Sequence, residues 1–311
     1  MSDIIGIDVG GANLKVFEDN TVTIHYCPMW QEAPITEILE PYSGKKAAVV
    51  MSGELADGFA NKKEGIKFIV ESVKRAIPCS LFYGTDGGFH DGPTSILAAA
   101  NWLASADFLR ERYPDQVLVD LGSTTTDIIP LNSFGALKGM RDLDRLRKGY
   151  LVYTGTLRST VPSLLRSVSV NGYDTLVSSE YFAQSADVHL VLGNIDEADY
   201  TVPTPDVAAT SYEASLQRLS RVVCSDLEEI GESGALEIAK AFYMEQMNLI
   251  KEQVERVMDE TGSSGIIAAG IGSHIISKLF DCIDLSCEPG IYPDALPAQA
   301  VCEVAKRTGI F

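Results

Sequence analysis

Two stretches built on one pattern constrain this chain more than anything else in it. The first, Ile4 to Val16 (IIGIDVGGANLKV), runs as an apolar strand into Asp8, turns at Gly10 and Gly11, passes Asn13 and Lys15, and becomes apolar again. The second, Val117 to Pro130 (VLVDLGSTTTDIIP), runs into Asp120, turns at Gly122 through Ser123, Thr124, Thr125 and Thr126, passes Asp127 and returns to apolar residues. β-Branched residues favour extended chain on both arms. Glycine lacks a Cβ, so backbone amides at such a turn can close on an anion. Either stretch alone reads as a hairpin with a polar tip. Repeated more than a hundred residues apart, they predict two related half-domains facing one ligand.

A third stretch, Ile266 to Ser273 (IIAAGIGS), reads as a buried strand ending at Gly270 and Gly272 and leading into a helix over 273–280. By itself such a Gly-x-Gly only closes a strand-to-helix turn. Together the three resemble the acetate and sugar kinase, Hsp70 and actin superfamily. That resemblance implies an α/β, two-domain, actin-like (ribonuclease H-like) fold with the ligand cleft between the domains. The expected units are 1–114 and 115–295, with a last helix within 296–311 that packs back on the first. The rest of the chain alternates accordingly. Asn61 caps a helix whose apolar face carries Ile66, Ile69, Val70, Val73 and Ile77. Thr94 to Arg112 and Ser211 to Glu229 each read as one helix. Asn171-Gly172 is the strongest hairpin signal.

With 311 residues the chain is long enough for two sizeable cores. Its net charge of −18 argues against nucleic acid and anionic membrane as partners. No apolar run is long enough to span a bilayer, and the N-terminal residues carry no basic signal-like region, so a cytoplasmic protein is expected. An anionic ligand then needs locally positive surroundings. Six cysteines without a Cys-x-x-Cys pair, and four histidines, make structural zinc an unsuitable reading. The cysteines are expected to fill apolar cores.

The acids that precede the glycine turns, Asp8 and Asp120, and Asp127 beyond the second turn, are candidates for ligating a phosphate-bound Mg²⁺. Each could instead cap its own turn. Phosphate oxygens would be cradled by Gly10, Gly11, Gly122 and the Ser123–Thr126 amides and hydroxyls, with Asn13, Lys15, Gly270 and Gly272 nearby. For Lys15 a solvated strand position is an equal reading.

Further segments make the resemblance specific. They are PMW from Pro28, KKEG from Lys62, NW from Asn101, LDRL from Leu143, LVYTGTLR from Leu151, SSEYFA from Ser178, TPD from Thr204 and RLSRVVCSD from Arg218. With the two glycine turns, they are similar in kind and order to the archaeal methanofuran-biosynthesis synthases, a hydantoinase/oxoprolinase-like family. Two positions depart from that pattern: Ser159 and Thr160 follow Arg158 where Thr-Pro is usual, and Val207 follows Asp206 where glycine is usual.

The resemblance implies a transferase. It joins 5-(aminomethyl)-3-furanmethanol diphosphate to the phenol oxygen of γ-glutamyltyramine, forming an aryl ether and releasing diphosphate. In that reaction Asp8, Asp120, Arg158 and Glu180 are the expected catalytic residues, with Arg158 a bidentate phosphate clamp. Glu180 would be the base for the phenol or bind the substrate ammonium, or else is a solvated loop acid. Asp206 is an alternative to it. Trp30 and Trp102 would stack on substrate rings or are core aromatics. Two rivals share the fold: an ATP-dependent small-molecule kinase, and a nucleotide-sensing actin-like or chaperone-like module.

Overall fold

The computed structural model of the chain describes residues 3–31 and 33–311. Strands β1 (Ile4–Val9), β2 (Asn13–Glu18) and β3 (Thr21–Tyr26) form an antiparallel meander at the N-terminus. Helix α1 (Ile35–Leu39) precedes β4 (Lys46–Met51), which pairs parallel with β1. Helix α2 (Lys62–Ala76) starts where expected, with the Asn61 side chain accepting from the Glu64 amide. Next come β5 (Ser80–Tyr83), parallel to β4, and the short β6 (Phe89–His90). The sheet order is β3-β2-β1-β4-β5-β6.

After α3 (Asn101–Leu109) the plan is repeated. Strands β7 (Gln116–Leu121) and β8 (Thr126–Pro130) form the second hairpin. Helices α4 (Phe134–Leu137) and α5 (Asp142–Lys148) lead to β9 (Leu151–Val152), antiparallel to β8. An insertion follows: the hairpin β10 (Ser167–Val170) and β11 (Tyr173–Leu176), then helices α6 (Ser185–Val191) and α7 (Tyr212–Arg221). The long α8 (Leu227–Thr261) returns to β12 (Gly265–Ala269), parallel to β7, then α9 (Ser273–Leu279) and β13 (Ile283–Asp284), parallel to β12. This sheet runs β13-β12-β7-β8-β9. Read from the other edge, it matches β3-β2-β1-β4-β5 of the first sheet strand for strand, with the same parallel and antiparallel pairings. The internal duplication predicted from two short turns therefore extends to whole sheets.

Helix α10 (Leu296–Thr308) lies against β1, β4 and α3. Its approach depends on Gly6, where an added Cβ would stand 1.9 Å from the Ala298 carbonyl oxygen. The end of α10 is tied down by Arg307, which donates to the nearly fully buried Asp107; Asp107 also accepts from Tyr83 and Arg110. One apolar core runs from β4 and α3 through α10 to β7, β8, β12 and α8, so the two sheets share it. A second core fills the other face of the first sheet under α1 and α2. The insertion has its own core, built on the start of α8.

Two helices expected as single pieces are broken. Thr94 to Arg112 divides into a helical turn at Ser95–Leu97 and α3, because Ala99 adopts a left-handed conformation with φ 47°. Ser211 to Glu229 divides at Cys224, φ 57°, and Asp226 then caps α8 by accepting from the Glu229 amide. Asn171 and Gly172 both have positive φ, 50° and 84°, as a type I′ hairpin turn requires. Val207 is left-handed too, with φ 58°. A β-branched residue there is strained, which accounts physically for the glycine usual at that position. All six cysteines are free, but only Cys27 and Cys302 are buried; Cys79, Cys224 and Cys287 are exposed, so the expectation of core fillers holds for two. Among the described residues no helix is long and apolar enough to cross a membrane.

The packing of α10 gives a direct test. Gly6→Ala should destabilise the protein by about 3 kcal/mol in denaturant unfolding, the upper end for overpacking a tight core. Gly135→Ala, in α4 with nothing near its would-be Cβ, should be neutral or stabilising by up to about 1 kcal/mol.

Candidate functional site

Asp8 and Asp120 occupy equivalent places, each at the carboxyl end of the central strand of its sheet just before the glycine turn. The turns are built alike. The Gly10 amide donates to Asn13 O at 2.9 Å and the Gly122 amide to Thr125 O at 3.0 Å. Those two amides close their own turns, so Gly10 and Gly122 shape the loops. The amides left unpaired among the described residues are those of Gly11 and Ala12 on one side and Ser123 to Thr125 on the other.

Contacts across the cleft bring the turns together. Trp30 follows Met29, whose amide bonds Gly11 O, and the Arg158 guanidinium lies over the Trp30 ring at 5.7 Å. Arg158 in turn is fixed to the second turn, since the amides of Leu157 and Arg158 both donate to Ser123 O. Gly155 makes this docking possible, because a Cβ there would stand 2.5 Å from the Thr124 nitrogen. Electrostatics agrees with the geometry. Burial pushes the Asp8 carboxyl up to about 6, opposed by Lys15. Asp120 is pushed up to about 7 by burial, then by Asp127, with Lys15 opposing and Asp294 and Asp8 adding to the rise. Lys15 is the cross-strand neighbour of Asp8, and its ammonium donates to Asp294 O at 2.5 Å.

Several polar atoms here are buried and unpartnered among the described residues: Asp8 Oδ1, Thr156 Oγ1 and Glu54 Oε2. Each orphan costs about 1–3 kcal/mol in a folded protein, and such groups clustered at one cleft point to a ligand. Arg158 is half-buried and pairs with no carboxylate among the described residues. Its charge is free for an anion.

Other predicted residues are placed differently. Asp127, the cross-strand neighbour of Asp120, is held by the buried Arg145, which also binds Asp142 and covers the Trp102 ring at 4.3 Å. Trp102 is thus a core aromatic under Arg145. The Thr126 hydroxyl is buried and donates to Thr154 O, facing away from any ligand. Asn13 begins β2 at the turn, half-buried. Gly270 and Gly272 pack on the end of β7, where added Cβ atoms would meet Asp120 Oδ1 at 2.4 Å and the Leu121 side chain at 2.4 Å. The Gly272 amide donates to Leu121 O. These two glycines let β12 approach Asp120. Glu180 is exposed, and its carboxylate has no hydrogen-bond partner among the described residues. Asp206 accepts from Arg218 and Arg221; against the burial that would raise it, the Ala208 amide and these two guanidinium groups hold its carboxyl low. Arg221 pairs with Asp206, and Asp226 caps α8.

Sequence reasoning missed the scaffold behind Arg158. Gln246 is fully buried on α8 and donates to Thr154 Oγ1 and Gly155 O, while its Oε1 meets His189 Nε2. Burial lowers His189 to about 4, so it is neutral. Ser159 Oγ accepts from the Gly155 amide and meets Thr154 Oγ1, a role open to either hydroxyl-bearing residue. Beside it, Asp187 accepts from Arg218, Tyr200 and Ser215, and Tyr200 and Tyr181 both bond Gln184. This network seats the 178–184 loop beside Arg158. Sequence reasoning also missed Glu54, just past the carboxyl end of β4, where ligands gather on sheets with parallel strands.

Among the described residues no three His, Cys, Asp or Glu side chains converge into a metal cage. Mg²⁺ does not need one, because it binds through one or two carboxylates plus substrate phosphates. Asp8, with its unpartnered oxygen, and Asp120 fit that donor set.

Comparison with known proteins agrees with the fold. Acetone carboxylase, in a nucleotide-free structure, superposes with a TM-score of 0.54 at 8% identity, covering 96% of this chain and 70% of that one. At that identity the likeness shows the fold alone, which with the duplicated sheets is the two-domain actin-like one. Residues 45–290 match the Hydantoinase/oxoprolinase family. A protein of Methanocaldococcus jannaschii named (4-{4-[2-(γ-L-glutamylamino)ethyl]phenoxymethyl}furan-2-yl)methanamine synthase is 38% identical over 292 residues, 89% of this chain and 88% of its own. A protein of the same name from Methanococcus vannielii is 41% identical over 160 residues, 51% of this chain and 72% of its own. The chain belongs to the Hydantoinase/oxoprolinase family and, within it, to that of the methanofuran-biosynthesis synthases.

Proposed function

We propose that this protein is a cytoplasmic transferase that joins 5-(aminomethyl)-3-furanmethanol diphosphate to γ-glutamyltyramine. The phenol oxygen bonds to the furan methylene, the methylene–oxygen bond to diphosphate breaks, and its electron pair leaves with diphosphate. One observation carries the reading: in a chain 38% identical to a synthase of this name, two glycine turns, an Arg158 with no carboxylate partner among the described residues and an unpartnered Asp8 oxygen meet at one cleft.

The difficult part of such a reaction is charge on the leaving group, and the cleft addresses it. The free amides at Gly11 and Ala12 and at Ser123 to Thr125 would hold the diphosphate oxygens, with Arg158 and Lys15 supplying positive charge in an otherwise acidic chain. Mg²⁺ held by Asp8 and Asp120 would neutralise further diphosphate charge. The Trp30 ring under the Arg158 guanidinium would help hold it toward the diphosphate. The furan oxygen shares positive charge that develops on the methylene, so the protein's main tasks are positioning and leaving-group stabilisation. A kinase of the same fold would use the same turns for ATP, but the relatives named above favour the synthase.

Mixing both substrates with Mg²⁺ in nucleotide-free buffer should yield ether and diphosphate in equal amount. Ether formed only with ATP, alongside matching ADP, would overturn the reading. Arg158→Ala should lower kcat roughly 100-fold with a smaller change in KM, because leaving-group charge is greatest in the transition state. Metal binding should depend on pH. Asp8 and Asp120 hold their protons up to about 6 and about 7, and the cation requires them ionised. Calorimetric affinity for Mg²⁺ with diphosphate should therefore rise between about pH 5.5 and 8, and rise less in Asp8→Asn, where Asp120 alone still titrates. For the metal-free protein the sign reverses: stability from these raised carboxyls is full below the unfolded value and lost as pH climbs through 6 to 7.

A further inference from the structure

A cavity of about 490 Å³ opens between the start of α2, the 93–98 loop and Arg141 just ahead of α5. Both halves of the chain thus contribute to its wall. The protein carries a net charge of −18, yet the charged residues lining this cavity are all cationic: Lys62, Lys63, Lys67 and Arg141. The remainder is apolar or hydroxyl-bearing, Ile66 and Thr85 among it. Lys63 has no carboxylate partner among the described residues, and Lys67 reaches Glu71 only at 3.8 Å. Such a volume suits a small organic molecule, and this lining suits one with an aromatic body and an anionic end.

Behind the lining residue Lys62 lies Glu54. It is 1% exposed, and its Oε2 has no partner among the described residues. Its other oxygen lies 3.6 Å from Lys62, which also reaches Asp142 in the second half at 3.6 Å. On its other side Glu54 adjoins the first anion turn. The amides of Ser52 and Gly53 bond Val9 O, and a Cβ on Gly53 would stand 2.5 Å from Gly10 O. A buried, half-satisfied carboxylate therefore sits between the cationic cavity and the proposed diphosphate turns.

We propose that this cavity binds the phenolic acceptor, with the α-carboxylate of its γ-glutamyl arm at Lys63 and Arg141, and that Glu54 removes the phenol proton. The proposal rests on the synthase reading above and names the acceptor side of the same cleft. The step balances: the phenol O–H gives its proton to Glu54, the phenol oxygen bonds to the furan methylene, and diphosphate departs with the electron pair of the broken bond. Glu54 returns to the carboxylate by losing the proton to solvent after product release. Burial raises its carboxyl, Lys62 opposes this, and Asp142 adds to it, the direction that makes a carboxylate a stronger base. Glu180, whose exposed carboxylate has no hydrogen-bond partner among the described residues, is then not needed as the base.

Calorimetry of γ-glutamyltyramine and of N-acetyltyramine, which keeps the amide and the phenol but lacks the carboxylate and carries no charge, tests the cavity without turnover. Lys63→Glu, a surface change that should not disturb folding, and Arg141→Ala should each weaken γ-glutamyltyramine binding ~10-fold or more and leave N-acetyltyramine binding within about twofold, the scale of a lost charge-assisted hydrogen bond. Glu54→Gln, checked for an unchanged melting temperature, should lower kcat by ~100-fold or more with acceptor KM little changed. Glu54→Asp should recover part of that loss. Unchanged acceptor binding in both cation variants together with normal kcat in Glu54→Gln, while the wild-type protein still makes ether, would overturn this proposal and leave the synthase reading standing. Wild-type protein that makes no ether would instead defeat the synthase reading.

Discussion

Two carboxylates, Asp8 and Asp120, are brought into one cleft, with Lys15 as the cation that favours the ionised form of both against burial. Burial raises both acids, and Asp127 raises Asp120 further even though it is paired with Arg145, as does Asp8. A folded protein has no structural reason to gather negative charge in this way. The arrangement makes sense when a cation and a phosphate-bearing ligand complete it. The unpartnered oxygen of Asp8 and the unpartnered hydroxyl of Thr156 describe the same incompleteness in hydrogen-bonding terms.

The rest of the architecture joins and supports the cleft's two lips. The shared core under α3, α8 and α10 joins the sheets from behind. The insertion supports one lip only. Gln246, neutral His189 and Ser159 fix residues 154–159 against the second glycine turn, and the Asp187–Arg218 pair seats the neighbouring loop. Both Asp187 and Arg218 are fully buried, so they leave no room for a ligand. The pair fixes geometry, whereas the half-buried Arg158 a few ångströms from Trp30 is available for binding.

The parts of this design that depend on local patterns were legible in the sequence. The duplicated strand–Asp–Gly–strand turns announced the two sheets, Asn61 marked the start of α2, and Asn171-Gly172 marked its hairpin. Breaks set by tertiary contacts were not. An alanine-rich run gives no sign that Ala99 will turn left-handed, although Ser225-Asp226 followed by Glu229 did carry a helix-start signal within a segment read as continuous. At the site, Asp8, Asp120 and Arg158 could be named from turn chemistry and from family resemblance. Glu54 could not, since its significance lies in burial and in an unpaired oxygen, and neither is visible in the order of residues. The same holds for Thr126, Gly270 and Gly272, whose residue types suggest phosphate binding but whose contacts serve packing.

The central claim is that the two glycine turns grip one diphosphate from opposite lips of the cleft. A crystal structure with Mg²⁺ and inorganic diphosphate tests it most directly. The account predicts diphosphate bonded by the Gly11 and Ala12 amides on one side and the Ser123–Thr125 amides and Arg158 on the other, with the cation on Asp8 and Asp120. Diphosphate seated on only one turn, or lodged away from both, would contradict it.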